Sequence, residues 1–173
     1  MTSVNSEVFV YFGIIMIMLV FISGSVNAGK STTAELLAKK IDAVFIDFDD
    51  LTKLVSHFKL EEDIPKVFEV GIKKINQLDA EGKSVVAAWG VRPQDHDMLR
   101  DKLTVKEQFY ITLAPRFEIA LSDRGRGMNN WELKKIKYHY DTGMASPSFG
   151  EIIDNSDMNI EQTTSKILDI ISK

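Results

Sequence analysis

Residues 24–31 read Gly24-Ser25-Val26-Asn27-Ala28-Gly29-Lys30-Ser31, a G-x-x-x-x-G-K-[ST] segment without a mismatch. Few short sequences constrain a chain as tightly, because the chemistry demands a particular frame around them. The glycines let backbone N–H groups turn inward and cradle phosphate oxygens. A helix starting near Lys30 aims its dipole and its unbonded N–H groups at the same anion. Lys30 then reaches the β- and γ-phosphates, and the Ser31 hydroxyl takes one place on a magnesium ion. The frame is present: an apolar run enters the segment and a leucine-rich helical pattern leaves it. The expected nucleotide-binding residues are Gly24, Ser25, Val26, Asn27, Ala28, Gly29, Lys30, Ser31 and Thr32, with a purine nucleoside triphosphate as ligand.

The remaining pattern supplies a fold for that loop. Short apolar runs alternate with helical spacing, as in a parallel sheet built from βαβ units. The strands are expected at Met18–Ile22, Val44–Asp47, Ser84–Trp89, Gln108–Leu113 and Glu151–Ile153. Helices are expected over Lys30–Ile41, Asp50–Leu78 (with a break at Ile64–Pro65), Pro93–Leu103, Pro115–Asp123, Trp131–Tyr140 and Ile160–Ile171. Leu36, Leu37 and Ile41 in the first helix, and Ile160, Ile167 and Ile171 in the last, fall at core spacing. The fold class is α/β: a three-layer P-loop NTPase fold with a five-stranded parallel sheet and a lid segment.

From Val8 to Ile22 the chain is continuously apolar or glycine. The run is shorter than the roughly 20 residues of a spanning helix. Residues 1–7 carry no Lys or Arg, and a signal cleavage near Ser23–Ser25 would cut the phosphate loop. The division expected is residues 1–15 as an apolar extension and 16–173 as the nucleotide-binding domain. A net charge of −4 gives no sign of a nucleic-acid or acidic-membrane partner. The absence of cysteine excludes disulfides, thiolate metal sites and a cysteine nucleophile, and accords with a cytoplasmic location. His57, His96 and His139 have no metal-ligand spacing and read as surface residues. In the Trp131–Tyr140 helix the aromatics read as packing, and Lys134, Lys135 and Lys137 as a solvated face.

Switch GTPases also carry such a loop, but they need a guanine-reading Asn-Lys-x-Asp segment, which this sequence lacks. Asp79-Ala80-Glu81-Gly82 has the form D-x-x-G but sits at a helix end, where a glycine stop accounts for it. Oligomeric ATPase modules end their third strand in acids, whereas this one ends Ala87-Ala88-Trp89-Gly90.

Three further segments stand in a telling order: Phe45-Ile46-Asp47-Phe48-Asp49-Asp50, Val85 to Pro93, and Asp123-Arg124-Gly125-Arg126-Gly127. With the loop, they make the chain from about Met18 onward resemble the small P-loop kinases, such as shikimate kinase, gluconate kinase and chloramphenicol phosphotransferase. The resemblance implies transfer of the γ-phosphoryl group of ATP, with Mg2+, to a hydroxyl of a small-molecule acceptor. It implies that Asp47 and Asp49 look toward magnesium and the acceptor. An acceptor alcohol needs a carboxylate within reach to take its proton. Asp49 is the first choice for that base and Asp47 for magnesium through water, with the exchanged assignment open; Asp50 reads as a helix cap. Were the strand to continue, Asp47 and Asp49 would share a face. Capping alone is the competing account of all three.

Arg124 and Arg126 fall where the family carries lid arginines that stabilise the transferred phosphoryl group; an ordinary basic loop is the alternative. Trp89 and Arg92 fall at the acceptor strand, the ring to stack on the acceptor and the guanidinium to hold an anionic group. Core packing is the other reading of Trp89. This strand has neither the gluconate-kinase nor the shikimate-kinase pattern. Asn155 falls at the adenine border, where turn chemistry also favours it. The expected partners are ATP and the acceptor, in a monomer or homodimer. A nucleotide-binding regulatory protein or degenerate kinase, a nucleotide or nucleoside kinase, and a nucleic-acid end kinase are the other classes in view.

Overall fold

The computed structural model describes residues 16–123 and 127–173. The extension expected at residues 1–15, and Arg124 and Arg126, lie outside the described residues. The strands are β1 (Met18–Gly24), β2 (Val44–Asp47), β3 (Val85–Ala88), β4 (Glu107–Leu113) and β5 (Glu151–Ile153). The helices are α1 (Lys30–Lys40), α2 (Phe48–Thr52), α3 (Leu60–Ala80), α4 (Pro93–Lys102), α5 (Phe117–Leu121), α6 (Asn130–Asp141) and α7 (Ile160–Ile171). All five strands run parallel, in the order β2-β3-β1-β4-β5.

This order makes β1 the centre of the sheet, and its composition follows. Leu19, Val20, Phe21 and Ile22 have no solvent exposure at all. Side chains alternate along a strand. Leu19 and Phe21 therefore join α2, α3 and α4 on one face, while Val20 and Ile22 join α1 and α7 on the other. A strand buried on both faces reads as an unbroken apolar run, which is why Met18–Ile22 was recognisable. The chain proceeds from β1 to β2 and β3 on one side and to β4 and β5 on the other, so the strand order reverses beside β1, and sheets of this kind bind ligands at such a point, outside the carboxyl ends of the strands.

The long helical region divides differently from expectation. α3 runs through Pro65, and the break lies between α2 and α3, where the chain turns and His57 takes a positive φ of 52°. The buried Asp63 explains where α3 starts. Its carboxylate accepts the Lys59 N–H at 2.8 Å, while its own N–H bonds the Lys59 carbonyl at 2.9 Å. Pro65 then stands early in the helix and removes only one backbone donor.

Other boundaries also shift. α5 is shorter than the expected Pro115–Asp123, and Ile160, at the first position of α7, is exposed. His96 is half-buried rather than fully on the surface: its ring stacks on Phe149 at 4.2 Å and meets the edge of Tyr110 at 4.5 Å. On α6, Trp131 and Tyr138 are exposed rather than packed, with the Lys135 ammonium 5.9 and 5.6 Å from their ring centres. Tyr140 does pack, against Phe117.

Phe48 is the centre of an aromatic cluster on the α2–α3 face of the sheet. Fully buried, its ring lies 5.3 Å from Phe21, 5.6 Å from Phe68 and 6.2 Å from Trp89. It fits because Gly71 on α3 has no side chain: a Cβ there would stand 2.3 Å from Phe48 Cζ. Overpacking costs about 1–3 kcal/mol, and the better helix propensity of alanine returns up to about 1 kcal/mol. Gly71→Ala should therefore lose about 1–2 kcal/mol net in urea denaturation, an outcome opposite in sign to propensity alone.

Candidate active site

β1 ends at Gly24, and no other residue could stand there. Its φ is +143°, and a Cβ would lie 2.4 Å from the Leu113 carbonyl oxygen of β4. The chain leaves the sheet at this point and winds through Ser25–Gly29 into α1, which begins at Lys30. Ser31 is half-buried and Thr32 exposed at the start of α1, so the helix end that attracts anions opens to solvent.

The loop is held from several directions. Lys30 Nζ donates to the Ser25 carbonyl at 2.8 Å, closing the loop on itself. The Ala28 N–H also points to that carbonyl, at 3.3 Å. Asn27 takes a left-handed φ of 63°, and its amide donates to the carbonyls of Ala120 (2.9 Å) and Ser122 (3.1 Å) beyond the end of β4. Asn155, after β5, donates to the Ala28 carbonyl at 3.0 Å. Its Oδ1 is buried and has no hydrogen-bond partner among the described residues. Ser25 Oγ lies 3.0 Å from His139 Nδ1 of α6, and both side chains are buried.

The carboxylates at the end of β2 are arranged differently from the sequence expectation. The strand stops at Asp47, and Phe48 turns inward to start α2. Asp47, rather than Asp50, is the helix cap: its Oδ1 accepts the Asp49 N–H at 2.9 Å. Asp49 therefore sits in the first turn of α2 and does not share a strand face with Asp47. Asp50 is bridged to Lys53 at 2.5 Å. Asp49 remains the carboxylate that senses Lys30. Partial desolvation, then the neighbouring charge of Asp47, raises its proton affinity above the ordinary aspartate value although the residue is exposed, and Lys30 opposes the shift. Its side chain is still reached by water.

The β3–α4 corner is stitched to the root of the loop. The Trp89 N–H donates to the Ile22 carbonyl at 3.2 Å, and the Val91 N–H to the buried Ser23 hydroxyl at 2.9 Å. This places the half-buried Trp89 beside Phe48 and the phosphate loop. Arg92 gives its Nε and Nη2 hydrogens to Asp95 at 2.6 and 2.8 Å, and its backbone N–H goes to the same carboxylate. Asp95 is 4% exposed. The guanidinium expected to hold an anionic group is thus engaged by a buried carboxylate at the start of α4. Arg116 is likewise forked to Asp157, with both bonds at 2.8 Å.

The structure brings together Gly24–Thr32, Asp47, Asp49 and Trp89, with Asn155 behind the loop. Sequence reasoning missed the Asn27 bonds and missed His139, which was taken for a surface residue. The signal for His139 was its spacing: it stands three residues after the buried Ile136, on the same face of α6.

The chain shares its five-stranded parallel α/β architecture with solved structures of small P-loop kinases. A sugar kinase from Janibacter sp. HTCC2649 superposes with a TM-score of 0.71 at 14% identity, covering 90% of this chain and 95% of that one. A gluconokinase from Sinorhizobium meliloti 1021 gives 0.70 at 14% identity, covering 91% and 93%. Shikimate kinase from Acinetobacter baumannii, in complex with shikimate, gives 0.57 at 20% identity, covering 90% and 93%. No protein-family model matches the chain, and no curated protein matches its sequence. Among the described residues no helix is long and apolar enough to cross a membrane.

The raised proton affinity of Asp49 has a stability consequence of definite sign. The folded state prefers the neutral carboxyl, so ionisation of Asp49 costs folded-state stability as pH rises from the ordinary carboxylate pKa through the raised one. Below both values the cost vanishes. Asp49→Asn, which mimics the neutral form, should raise the melting temperature at about pH 7 and give no gain at about pH 3. Thermal melts at the two pH values check it.

Proposed function

We propose that the protein is an ATP-dependent kinase that transfers the γ-phosphoryl group to a hydroxyl of a small-molecule acceptor. The observation that carries this reading is the phosphate loop itself, running from the positive-φ Gly24 at the end of β1 into α1 at Lys30, and the electrostatic interaction of Lys30 with Asp49 supports it. Carboxylates beside such a loop either hold magnesium or take the proton of an acceptor alcohol, and the end of β2 supplies one for each task in Asp47 and Asp49. A proton affinity above the ordinary aspartate value suits the second task, because a stronger base draws the proton more readily.

In this reading the loop amides of Gly24–Gly29 and Lys30 hold the phosphates, and the acceptor oxygen lies near Asp49. The new P–O bond forms to that oxygen as the bond to the β-phosphate bridging oxygen breaks and the proton passes to Asp49. ADP and the phosphorylated acceptor are the products. Ser31 and Asp47 supply oxygen donors of the kind magnesium takes, and the ion when bound would neutralise charge between the phosphates. Asp47 already caps α2 with one oxygen, which leaves its second oxygen for a metal-bound water. Trp89 and the Arg92–Asp95 pair border the acceptor. Arg124 and Arg126 are assigned to the phosphoryl oxygens, where forked donors stabilise the transition-state charge. Asn155 keeps the loop and the base-binding side of the site in register. Most of the rate enhancement then comes from positioning and charge stabilisation.

The test is ADP release from Mg-ATP, alone and with neutral, anionic and cationic hydroxyl acceptors. One acceptor should stimulate release. Lys30→Ala should abolish turnover with the fold intact by circular dichroism, and Asp49→Asn should lower kcat on the order of 10²–10⁴-fold. Tight ATP binding with no stimulation by any acceptor, or full activity in Lys30→Ala, would overturn the reading.

A further inference from the structure

Ser25 is the junction of the phosphate loop. Its carbonyl receives the Lys30 ammonium at 2.8 Å and the Ala28 N–H at 3.3 Å. Its hydroxyl, 1% exposed, has the imidazole of His139 at 3.0 Å. When a nucleotide enters, Lys30 must leave this carbonyl for phosphate oxygens, and the carbonyl loses its charged donor. What then holds Ser25 is the long Ala28 N–H bond at its carbonyl and the shorter hydroxyl–imidazole bond at its side chain. Ser25 also sets the path by which the following N–H groups turn toward the anion.

His139 is well suited to such a role. It is 8% exposed, on the face of α6 that carries the fully buried Ile136. α6 itself is fixed: Asn129 and Glu132 form a reciprocal cap at its start, and Tyr140 reaches the Pro115 carbonyl while its ring packs on Phe117. The imidazole is thus presented from a helix with its own supports. A buried hydroxyl deprived of its partner must either stay unsatisfied or move, and moving it displaces the loop.

We propose that His139 is a positioning residue of the phosphate site, holding Ser25 so that the loop keeps its anion-binding form after Lys30 has turned to the nucleotide. The inference rests on the phosphate-loop reading but not on turnover. It assigns a function to α6 that no residue of the loop motif itself announces.

The experiment titrates Mg-ADP into the full chain by calorimetry, alongside thermal melts, for Ser25→Ala, His139→Leu, the double variant, His139→Asn and Lys30→Ala. Loss of one hydrogen bond of this kind is expected to weaken Mg-ADP binding about fivefold in each of Ser25→Ala and His139→Leu. The double variant should bind no more weakly than the worse single one, because both remove the same bond. Asn places a hydrogen-bonding atom near the position of Nδ1, so His139→Asn should restore binding to within about twofold of the parent. Unchanged affinity in both single variants with only lowered melting temperatures would overturn the proposal, leaving His139 as packing. Fully additive losses, or no rescue by Asn, would do the same. If Lys30→Ala binds as tightly as the parent, the phosphate-loop reading fails; if only Lys30→Ala binds weakly, the His139 proposal fails alone. Should His139→Leu not fold, Ser25→Ala and His139→Asn decide by the same criteria.

Discussion

The approach of Gly24 to the Leu113 carbonyl is the constraint on which the site depends. β1 and β4 pair along their whole lengths, from Met18 against Glu107 to Gly24 against Leu113. At the last pair, the space that a side chain would need is filled by the neighbouring backbone. The chain can leave the sheet there only as glycine, with a positive φ that turns the next amides away from the strand direction. The sheet's central register thus fixes the origin of the phosphate loop, and the position of α1 follows from it. The dry surroundings of β1 matter for the same reason: a strand with solvent on one face could shift, and the loop would shift with it.

Around that origin, neighbouring segments are tied to the loop or its root by side chains. Ser23 receives the Val91 N–H and so holds the β3–α4 corner. Asn27 bonds the carbonyls after β4, Asn155 bonds the Ala28 carbonyl from the β5–α7 turn, and His139 meets Ser25 from α6. Most of these bonds satisfy backbone groups left over where strands or turns end. The buried ones among them pair polar groups that burial would otherwise penalise, and each relates a neighbouring segment to the loop or its root. The unpartnered Asn155 Oδ1 is the exception among the described residues.

Much of this frame was legible in the sequence. Parallel strands covered on both faces betray themselves as apolar runs, and the loop motif carries its own geometry. What was not legible depended on contacts between distant residues. Phe45-Ile46-Asp47-Phe48-Asp49 looks like a continuing strand until Gly71 is known to leave room for Phe48; the ring then turns inward, and Asp47 becomes a cap. The break before α3 was misplaced because proline is a conspicuous signal and the Asp63 cap is not. Arg92 and Asp95, three residues apart across a helix start, were a readable pair, but an exposed arginine beside an acceptor strand was the more tempting interpretation. Segments 1–15 and 124–126 stand as sequence expectations.

The distribution of charge explains why the anion belongs at the loop and not at the neighbouring corner. Arg92 is bound to a carboxylate that is almost wholly buried, and drawing the guanidinium away would leave that charge with only the Arg92 backbone N–H, which opposes the exchange. An incoming carboxylate or phosphate gains little from a cation already neutralised. Lys30 donates instead to a backbone carbonyl, a neutral acceptor that also has the Ala28 N–H. Exchanging a carbonyl for a phosphate oxygen strengthens the bond of an ammonium group, since charge-assisted hydrogen bonds are roughly twice as strong as neutral ones. The same reasoning extends to Asp49. Partial desolvation and then its neighbours Asp47 and Asp50 raise its proton affinity, while Lys30 opposes the shift. In the proposed reading, a phosphate that draws Lys30 away removes this opposition, and Asp49 becomes the stronger base.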